Sequence, residues 1–566
     1  MKFRILLSII IITFITLQLT GCGSTGSSAT PDTGNVANSD IDLMQPFSKH
    51  PETVTISTAR HLNLGNPLAE GVTTSDNIFI DIVKDMLNVQ VLIDWEVIPA
   101  DYQQMLDLAI ASDTLPDVFT VSDYLTLRWL AENGRLADLT DAYEKSIGGY
   151  DKTLLNMMDD SKSINYYYND KLMGIAAIPV GYNYNLLWVR QDWLDRLGLP
   201  LPQTLDEIRE TALAFMENNM GGPDTRGIVA DPSTILGSSG SFLSLSTVAN
   251  AFGAYPQSWV ADQNGNAIYG SIQPGMKDAL EILSDWYQAG ILDPRFMSYP
   301  NMDAVTPAIR DGRCGMFFGA YWSPWIVGYN IDEPETQWVP VLAPVDGAGI
   351  FNHTNSNIPE SYLVVSSRCE SPEAVIKAVN VAYELQRGAF SDDPEIKAEI
   401  DRLTMAGSFD RTLNPFPGAL SGMFEEEMMR SIAFMEYSET GVLNSIPGIP
   451  PDTIKEDAER CRKWYTGDRV MRTTDDLGNR IFFESASAGR MVFLGENQHN
   501  EPIVFSGNTE SMEEYWSSLF ALEERMIIQI ISGTRPVDYF DEFVARWKNS
   551  GGDIITAEVN AILHDD

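Results

Sequence analysis

The chain has 566 residues, 44% of them apolar and 10% aromatic, with 38 Lys and Arg against 79 Asp and Glu and a net charge of −41. Nucleic-acid binding relies on cationic contacts to phosphates, so this balance argues against a nucleic-acid partner, and the acid excess reads as solubility of an exported protein. A chain this long exceeds a single hydrophobic core and implies two or three lobes of ordinary globular packing.

Lys2 and Arg4 precede an apolar run from Ile5 to Leu19, interrupted by Ser8, Thr13, Thr16 and Gln18. A basic start, a short apolar core and small residues at a cleavage point mark a secretory signal peptide. The run is too short and too interrupted for a permanent membrane span, which needs about 20 residues. Leu19-Thr20-Gly21-Cys22 resembles the lipobox of bacterial lipoproteins, which implies acylation of Cys22 and an anchor in the cell membrane on its extracellular side. Residues 1–21 are then the signal peptide. Gly23 to about Ser48 holds Ser, Thr, Gly, Asn, Asp and Pro with few apolar residues. It cannot bury enough apolar surface to offset ordering, so residues 22–50 are expected to form a flexible tether.

Val54–Ser57 reads as a first strand, Asn77–Leu87 as a helix, Val89–Trp95 as a strand, Tyr102–Ala111 as a helix and Leu115–Phe119 as a strand. This alternation predicts an α/β lobe with parallel pairing. Tyr124–Ala131 continues as a helix, Leu186–Val189 as a strand and Gln191–Gly198 as a helix with Gly198 near its C-cap. Thr204 with Glu207 makes a capping box. Trp259–Tyr269 predicts a hairpin turning at Asn264-Gly265, Pro274–Gly290 an amphipathic helix and Cys314–Phe318 an apolar strand. Ser361–Val365 and Ser371–Leu385 form a further strand and helix. Ser511–Arg546 is helical with a break near Gly533 and Pro536, Ser511 with Glu514 reads as its capping box, and Gly551-Gly552 precedes a last helix. The inserted segments between about Ser391 and Asn508 are left unplaced.

No Walker A, G-x-G-x-x-G, G-x-S-x-G or H-E-x-x-H pattern occurs. Cys314, Cys369 and Cys461 are far apart and read as buried thiols, and no His has a partner at i+3 or i+4. Asp262, Asn264 and Asn266 superficially suggest a calcium loop. With glycine at the fourth position and no glutamate at the twelfth, a plain hairpin fits better. The residues require no metal or other cofactor. What stands out is aromatics set among small and polar residues. Gly319-Ala320-Tyr321-Trp322-Ser323-Pro324-Trp325 follows an apolar strand, and Gly181-Tyr182-Asn183-Tyr184-Asn185 follows a proline. Flat aromatic faces beside amides and carboxylates suit the C–H faces and hydroxyl rims of sugars, although the same aromatics also suit lobe packing.

Leu187–Leu199 with Pro202–Glu207 resembles the extracellular solute-binding protein family 1, in particular the long lipoprotein members that serve carbohydrate ABC importers. Leu115–Phe119 with Gly134–Leu139, Ala289–Pro294, Asp311–Met316, and Trp547–Asp553 with Glu558–Asn560 resemble further motifs of the same family. The resemblance implies a two-lobe periplasmic-binding-protein fold of type II, each lobe an α/β sandwich, joined by a hinge. It implies an N-terminal lobe over 51–175, a C-terminal lobe over 176–355, a return to the first lobe over 356–400, and mixed helical segments over 401–566 that complete both. It further implies a monomer that captures a carbohydrate in the interlobe cleft and delivers it to ABC transporter permease subunits, without catalysis. Mapped onto this chain, the family's ligand positions fall at Asn77, Asp123, Tyr124, Asn183 and either Tyr321 or Trp322, and Tyr184 in the aromatic segment is a further candidate. Asn183 stands where the maltose-binding members carry a carboxylate. Trp322 is the expected stacking platform, with Tyr321 its neighbour, and Trp325 is expected to pack inside the lobe. Asp117, Arg190 and Asp192 are expected to be structural, with Asp192 capping the helix after it. The competing readings are a secreted polysaccharide-processing enzyme and a sugar-sensing lipoprotein on the same fold.

Overall fold

The computed structural model describes residues 42–564, apart from 63–67, 123, 150–151, 153–164, 178–183, 238–239, 301, 328, 331, 356–360, 391, 406–408, 410–412, 417–423, 447–448 and 450. Cys22 and the lipobox lie outside the described residues. From Leu43 onward the chain forms one compact unit built of two α/β lobes.

The first lobe is organised by β1 (Val54–His61), β2 (Val89–Val97), β3 (Val118–Val121), β4 (Tyr166–Tyr168), β5 (Lys171–Ala176) and β13 (Tyr362–Val365), in the order β2-β1-β3-β13-β5-β4. β1 runs parallel to β2 and β3, as the strand–helix alternation predicts, whereas β13 is antiparallel to both β3 and β5. Side-chain alternation splits the strands between two cores. Val118, Leu172, Leu363 and Val365 join one cluster, and Phe119, Met173 and Val364 join the other. The third strand begins at Val118 rather than Leu115. Asp117 is structural, but it ties the start of this strand to β1 by accepting from the Ser57 backbone N–H at 2.9 Å rather than stabilising the turn into the following helix.

The second lobe carries β6 (Leu186–Arg190), β7 (Arg226–Val229), β10 (Cys314–Gly319) and β11 (Trp338–Val341), in the order β11-β6-β10-β7. Here too Leu187, Val189 and Ile228 face one core while Leu186, Trp188 and Val229 face the other. Thr204 and Glu207 form both halves of the expected capping box. Asp192 is structural but does not cap. It takes a two-bond bridge from Arg190 at 2.8 and 2.7 Å and accepts from the Gln337 N–H, because Arg190 stacks over Trp193 and holds the carboxylate there.

A third sheet, β12-β14-β8-β9, combines the hairpin of β8 (Trp259–Ala261) and β9 (Ala267–Tyr269) with β12 (Phe351–Asn355) and β14 (Gln498–Phe505). The turn is the expected one. Gly265 sits at φ +83°, and Asp262 accepts from the Asn264 and Asn266 N–H groups at 2.8 and 2.9 Å. The segment left unplaced by the sequence contains three helices packed on one another, Phe424–Thr440, Pro451–Thr466 and Thr474–Leu494. The first supplies Ala433, Phe434 and Met435 to a first-lobe core, and the last supplies Ala488 and Val492 to a second-lobe core. The chain crosses between the lobes after β5 and before β13, and the Ala177 N–H donates to the Ser361 carbonyl at 2.8 Å, so the two crossings are hydrogen-bonded together.

Candidate ligand-binding site

β10 and β6 pair antiparallel with Gly319 opposite Leu186. That register brings the end of β10, which leads into Tyr321 and Trp322, beside the start of β6, which follows Tyr184 and Asn185. Tyr184 and the segment Tyr321-Trp322, more than 130 residues apart in sequence, are therefore brought to one end of the two central strands. A third segment joins them. Asn185 is buried and its amide donates to the carbonyls of Ser241 and Ser244 at 2.7 and 3.2 Å, while the Leu243 N–H donates to the Phe318 carbonyl at 3.1 Å. The loop so fixed holds Phe242, whose ring lies 5.8 Å from that of Trp322 at a 34° tilt.

Trp322 is half-buried against this cluster. It stands as an indole backed on one side by Phe242 and positioned by a rigid sheet, an arrangement that presents an amphipathic surface. Tyr321 is 8% exposed and belongs to the core. Burial pushes its phenol well up, and Glu427 from the start of the helix Phe424–Thr440 adds to the shift. Of the two aromatics, Tyr321 packs inward and Trp322 is the more exposed.

Two other expected ligand residues are engaged in structure. Asn77 is buried as the N-cap of the helix Ile78–Leu87, accepting from the Phe79 and Ile80 N–H groups and donating to the Thr73 and Thr74 carbonyls. Tyr184 is 2% exposed, its ring stacks on His353 at 3.9 Å, and its hydroxyl reaches the Val492 carbonyl at 3.0 Å and the Gln498 side chain. Its ring therefore works as a strut between β6 and the helix Thr474–Leu494 rather than as an open platform. Burial holds His353 down at about 4, so this stack is uncharged at neutral pH. Asp123 and Asn183 lie outside the described residues, as does the side chain of Tyr124, whose backbone opens the helix Tyr124–Glu132.

Trp325 corrects an expectation. It is 51% exposed rather than packed in the lobe, because the short helix Ser323–Val327 turns it away from the core that receives Ser323, Pro324 and Val327. Asn185 is the residue sequence reasoning passed over. It stands inside the quoted segment, but only the fold shows that its amide spans to Ser241 and Ser244. Among the described residues no group of three His, Cys, Asp or Glu is placed to hold a metal ion. Cys314, Cys369 and Cys461 are unpaired; Cys314 and Cys461 are buried and Cys369 is partly so. Desolvation pushes Cys314 up to about 12 and Cys369 up to about 11, so these thiols stay protonated.

The polygalacturonan/rhamnogalacturonan-binding protein YtcQ of Bacillus subtilis (strain 168) is 22% identical over 487 residues, covering 84% of this chain and 86% of that protein. The fructooligosaccharide ABC transporter substrate-binding protein FusA of Streptococcus pneumoniae serotype 4 (strain ATCC BAA-334 / TIGR4) is 21% identical over 409 residues, covering 69% and 71%. Among solved structures, an extracellular solute-binding protein from Bifidobacterium longum subsp. infantis matches with a TM-score of 0.62 at 14% identity, over 90% of this chain and 98% of that one. FusA of S. pneumoniae in complex with kestose matches with a TM-score of 0.58 at 15% identity, over the same shares. The family described as bacterial extracellular solute-binding protein matches residues 93–384, more than half of the chain. With both lobes, the paired crossings and the aromatic edge in place, the chain belongs to the bacterial extracellular solute-binding protein family.

Proposed function

We propose that this protein captures an oligosaccharide between its lobes and delivers it to the permease of an ABC importer, held to the extracellular face of the cell membrane by an acylated Cys22. The observation that carries the ligand class is the convergence of Trp322, Phe242 and the Asn185-fixed loop at one edge of a rigid sheet. An indole backed by a second ring offers an apolar face to sugar C–H groups and an N–H to a hydroxyl. The similarity to YtcQ, a polygalacturonan/rhamnogalacturonan-binding protein, and to FusA, a fructooligosaccharide-binding one, supports the same class. The lipobox Leu19–Cys22 supports the anchor. Asp123 and Tyr124, following β3 in the other lobe, complete the reading: contacts from both lobes make closure favourable once ligand is present.

The test is a thermal-shift screen of the mature chain against neutral and acidic oligosaccharides. A ligand that binds only the folded state adds about 2.7 kcal/mol of stability at 100 times its Kd. The expected result is a shift for at least one oligosaccharide that is recovered intact. Recovery of shorter products would favour an enzyme, and no shift across the panel would reject the carbohydrate reading.

A further inference from the structure

Beyond Trp322 the same loop continues to Trp325, whose N–H donates to the Trp322 carbonyl at 3.0 Å, so the two indoles stand one turn apart on one short segment. Trp325 is half exposed, and Ile326 beside it is 44% exposed. The exposed part of the indole is open to contact from solvent. It also has company from a distant part of the chain. Phe482, from the helix Thr474–Leu494, meets Trp325 edge to face with ring centroids 4.8 Å apart at 83°. The Arg460 guanidinium, from the helix Pro451–Thr466, lies 5.7 Å over the Phe482 ring. Gly478 permits this crossing: a Cβ there would stand 3.0 Å from the Arg460 Nη1. Glu456 bonds the other end of the guanidinium at 3.0 Å and steadies it.

These parts form a surface with a consistent chemistry: a half-exposed indole one turn from Trp322, a second ring at right angles to it and a cation over that second ring. The local charge agrees. Residues 451–494 contain eight Lys and Arg against eight Asp and Glu, whereas the whole chain has 38 against 79, so this surface lacks the general acid excess. A ring with apolar C–H faces and an oxygen-rich rim fits it, and Arg460 can donate to those oxygens.

Resting on the carbohydrate reading of the Trp322 edge, we propose that Trp325, Phe482 and Arg460 form an outer sugar subsite that receives a distal unit of the oligosaccharide and selects for chain length. A ligand long enough to extend past Trp322 stacks its next ring on Trp325 and covers the exposed indole. A ligand confined to the Trp322 edge does not reach it.

The test uses the full mature chain and two length series, galacturonate oligomers of one to six units and fructose oligomers of two to five units, titrated by calorimetry. Wild type is expected to bind the longer members of one series at least tenfold more tightly than its shortest binding member. Trp325→Ala should remove most of that gain and leave the shortest ligand unchanged, and Trp325→Phe should restore part of it. Arg460→Met should weaken the long ligands alone. Because Trp325 is at the surface, its variants are expected to keep the wild-type melting temperature, which a melting scan verifies. Equal affinities of wild type and Trp325→Ala for every length would overturn the outer subsite while leaving the carbohydrate reading intact. Weakening by Trp325→Ala of short and long ligands alike would overturn the length selection. Absence of binding by wild type to both series would overturn a subsite for these oligomers, while the carbohydrate reading is decided separately by the thermal-shift panel.

Discussion

Glu523 shows how much a single buried group can contribute. It is 1% exposed, and its Oε2 accepts from the Tyr269 hydroxyl at 3.0 Å. Desolvation therefore pushes its carboxyl up to about 7 from the ordinary 4.5. A carboxyl raised on folding favours the folded state when protonated. Its contribution is present in full below pH of about 4.5 and is lost as pH rises through about 7. A shift of that size corresponds to about 3 kcal/mol. Denaturant melts of wild type and Glu523→Gln between pH 4 and 8 should diverge, wild type losing stability toward pH 8 while the variant changes less; parallel curves would refute the assignment. The same reasoning separates Tyr321 from Trp322. Tyr321→Ala removes a buried aromatic and should cost about 3–5 kcal/mol of stability. Trp322→Ala, at a half-buried position against Phe242, should cost less stability and more affinity, as denaturation and calorimetry on both variants will report.

At the scale of the element, the helix Glu510–Ile531 starts one step away from where its sequence suggests. Thr509 is the N-cap, its side chain accepting from the Met512 N–H, so the box expected at Ser511 and Glu514 does not form. Ser511 instead donates to Glu558 at 2.6 Å and joins this helix to the last one, Asp553–His564. Both Thr509 and Ser511 have the chemistry of a cap, and the bond to Glu558, 47 residues away, decides between them. Thr509→Ala should lower stability by about 1 kcal/mol in a urea melt. Gly551, between the helices Tyr539–Trp547 and Asp553–His564, holds φ +118° with the Tyr515 ring 2.6 Å from where a Cβ would stand. Gly551→Ala meets both backbone strain and a clash, and should destabilise by at least about 1–3 kcal/mol. A melting temperature unchanged from wild type would contradict this account of the turn.

At the scale of the whole molecule, the first described residues are held by the first lobe. The buried Lys377 Nζ bonds the Leu43 carbonyl at 3.2 Å, Ser48 Oγ at 3.1 Å and the His50 ring at 3.0 Å, and Ser146 Oγ donates to the Met44 carbonyl at 2.9 Å. Leu43–His50 is thus bound to the first lobe, which leaves residues 22–42 rather than 22–50 as the span of the expected tether. Limited proteolysis should cut between Gly23 and Asp42, and the 43–50 segment should resist until the lobes unfold. Cleavage within 43–50 of the native protein would contradict the Lys377 bonds. Cys22→Ser should move the protein from the membrane fraction to the medium, because the acyl acceptor is gone; retention of a processed variant in the membrane would reject the lipobox reading.

The sequence by itself determined what short-range physics determines. The alternation of apolar residues fixed most strands, Thr204-x-x-Glu207 fixed a helix start, and Asn264-Gly265 fixed a hairpin, because each pattern is satisfied within one or two turns of chain. Family-like motifs pointed to two lobes. Tertiary structure decided everything that depends on a partner distant in sequence. The strand Gln498–Phe505 has the polar face of an exposed segment, and it is a strand because β12 and β8 pair with it. Asn77 and Tyr184 have the chemistry of ligand contacts, but helix donors and His353 with Val492 engage them first. Trp325 has the composition of a core residue, and only the turn of its short helix leaves it facing water beside Phe482. Side-chain chemistry is written locally, whereas burial and pairing are properties of the packed chain.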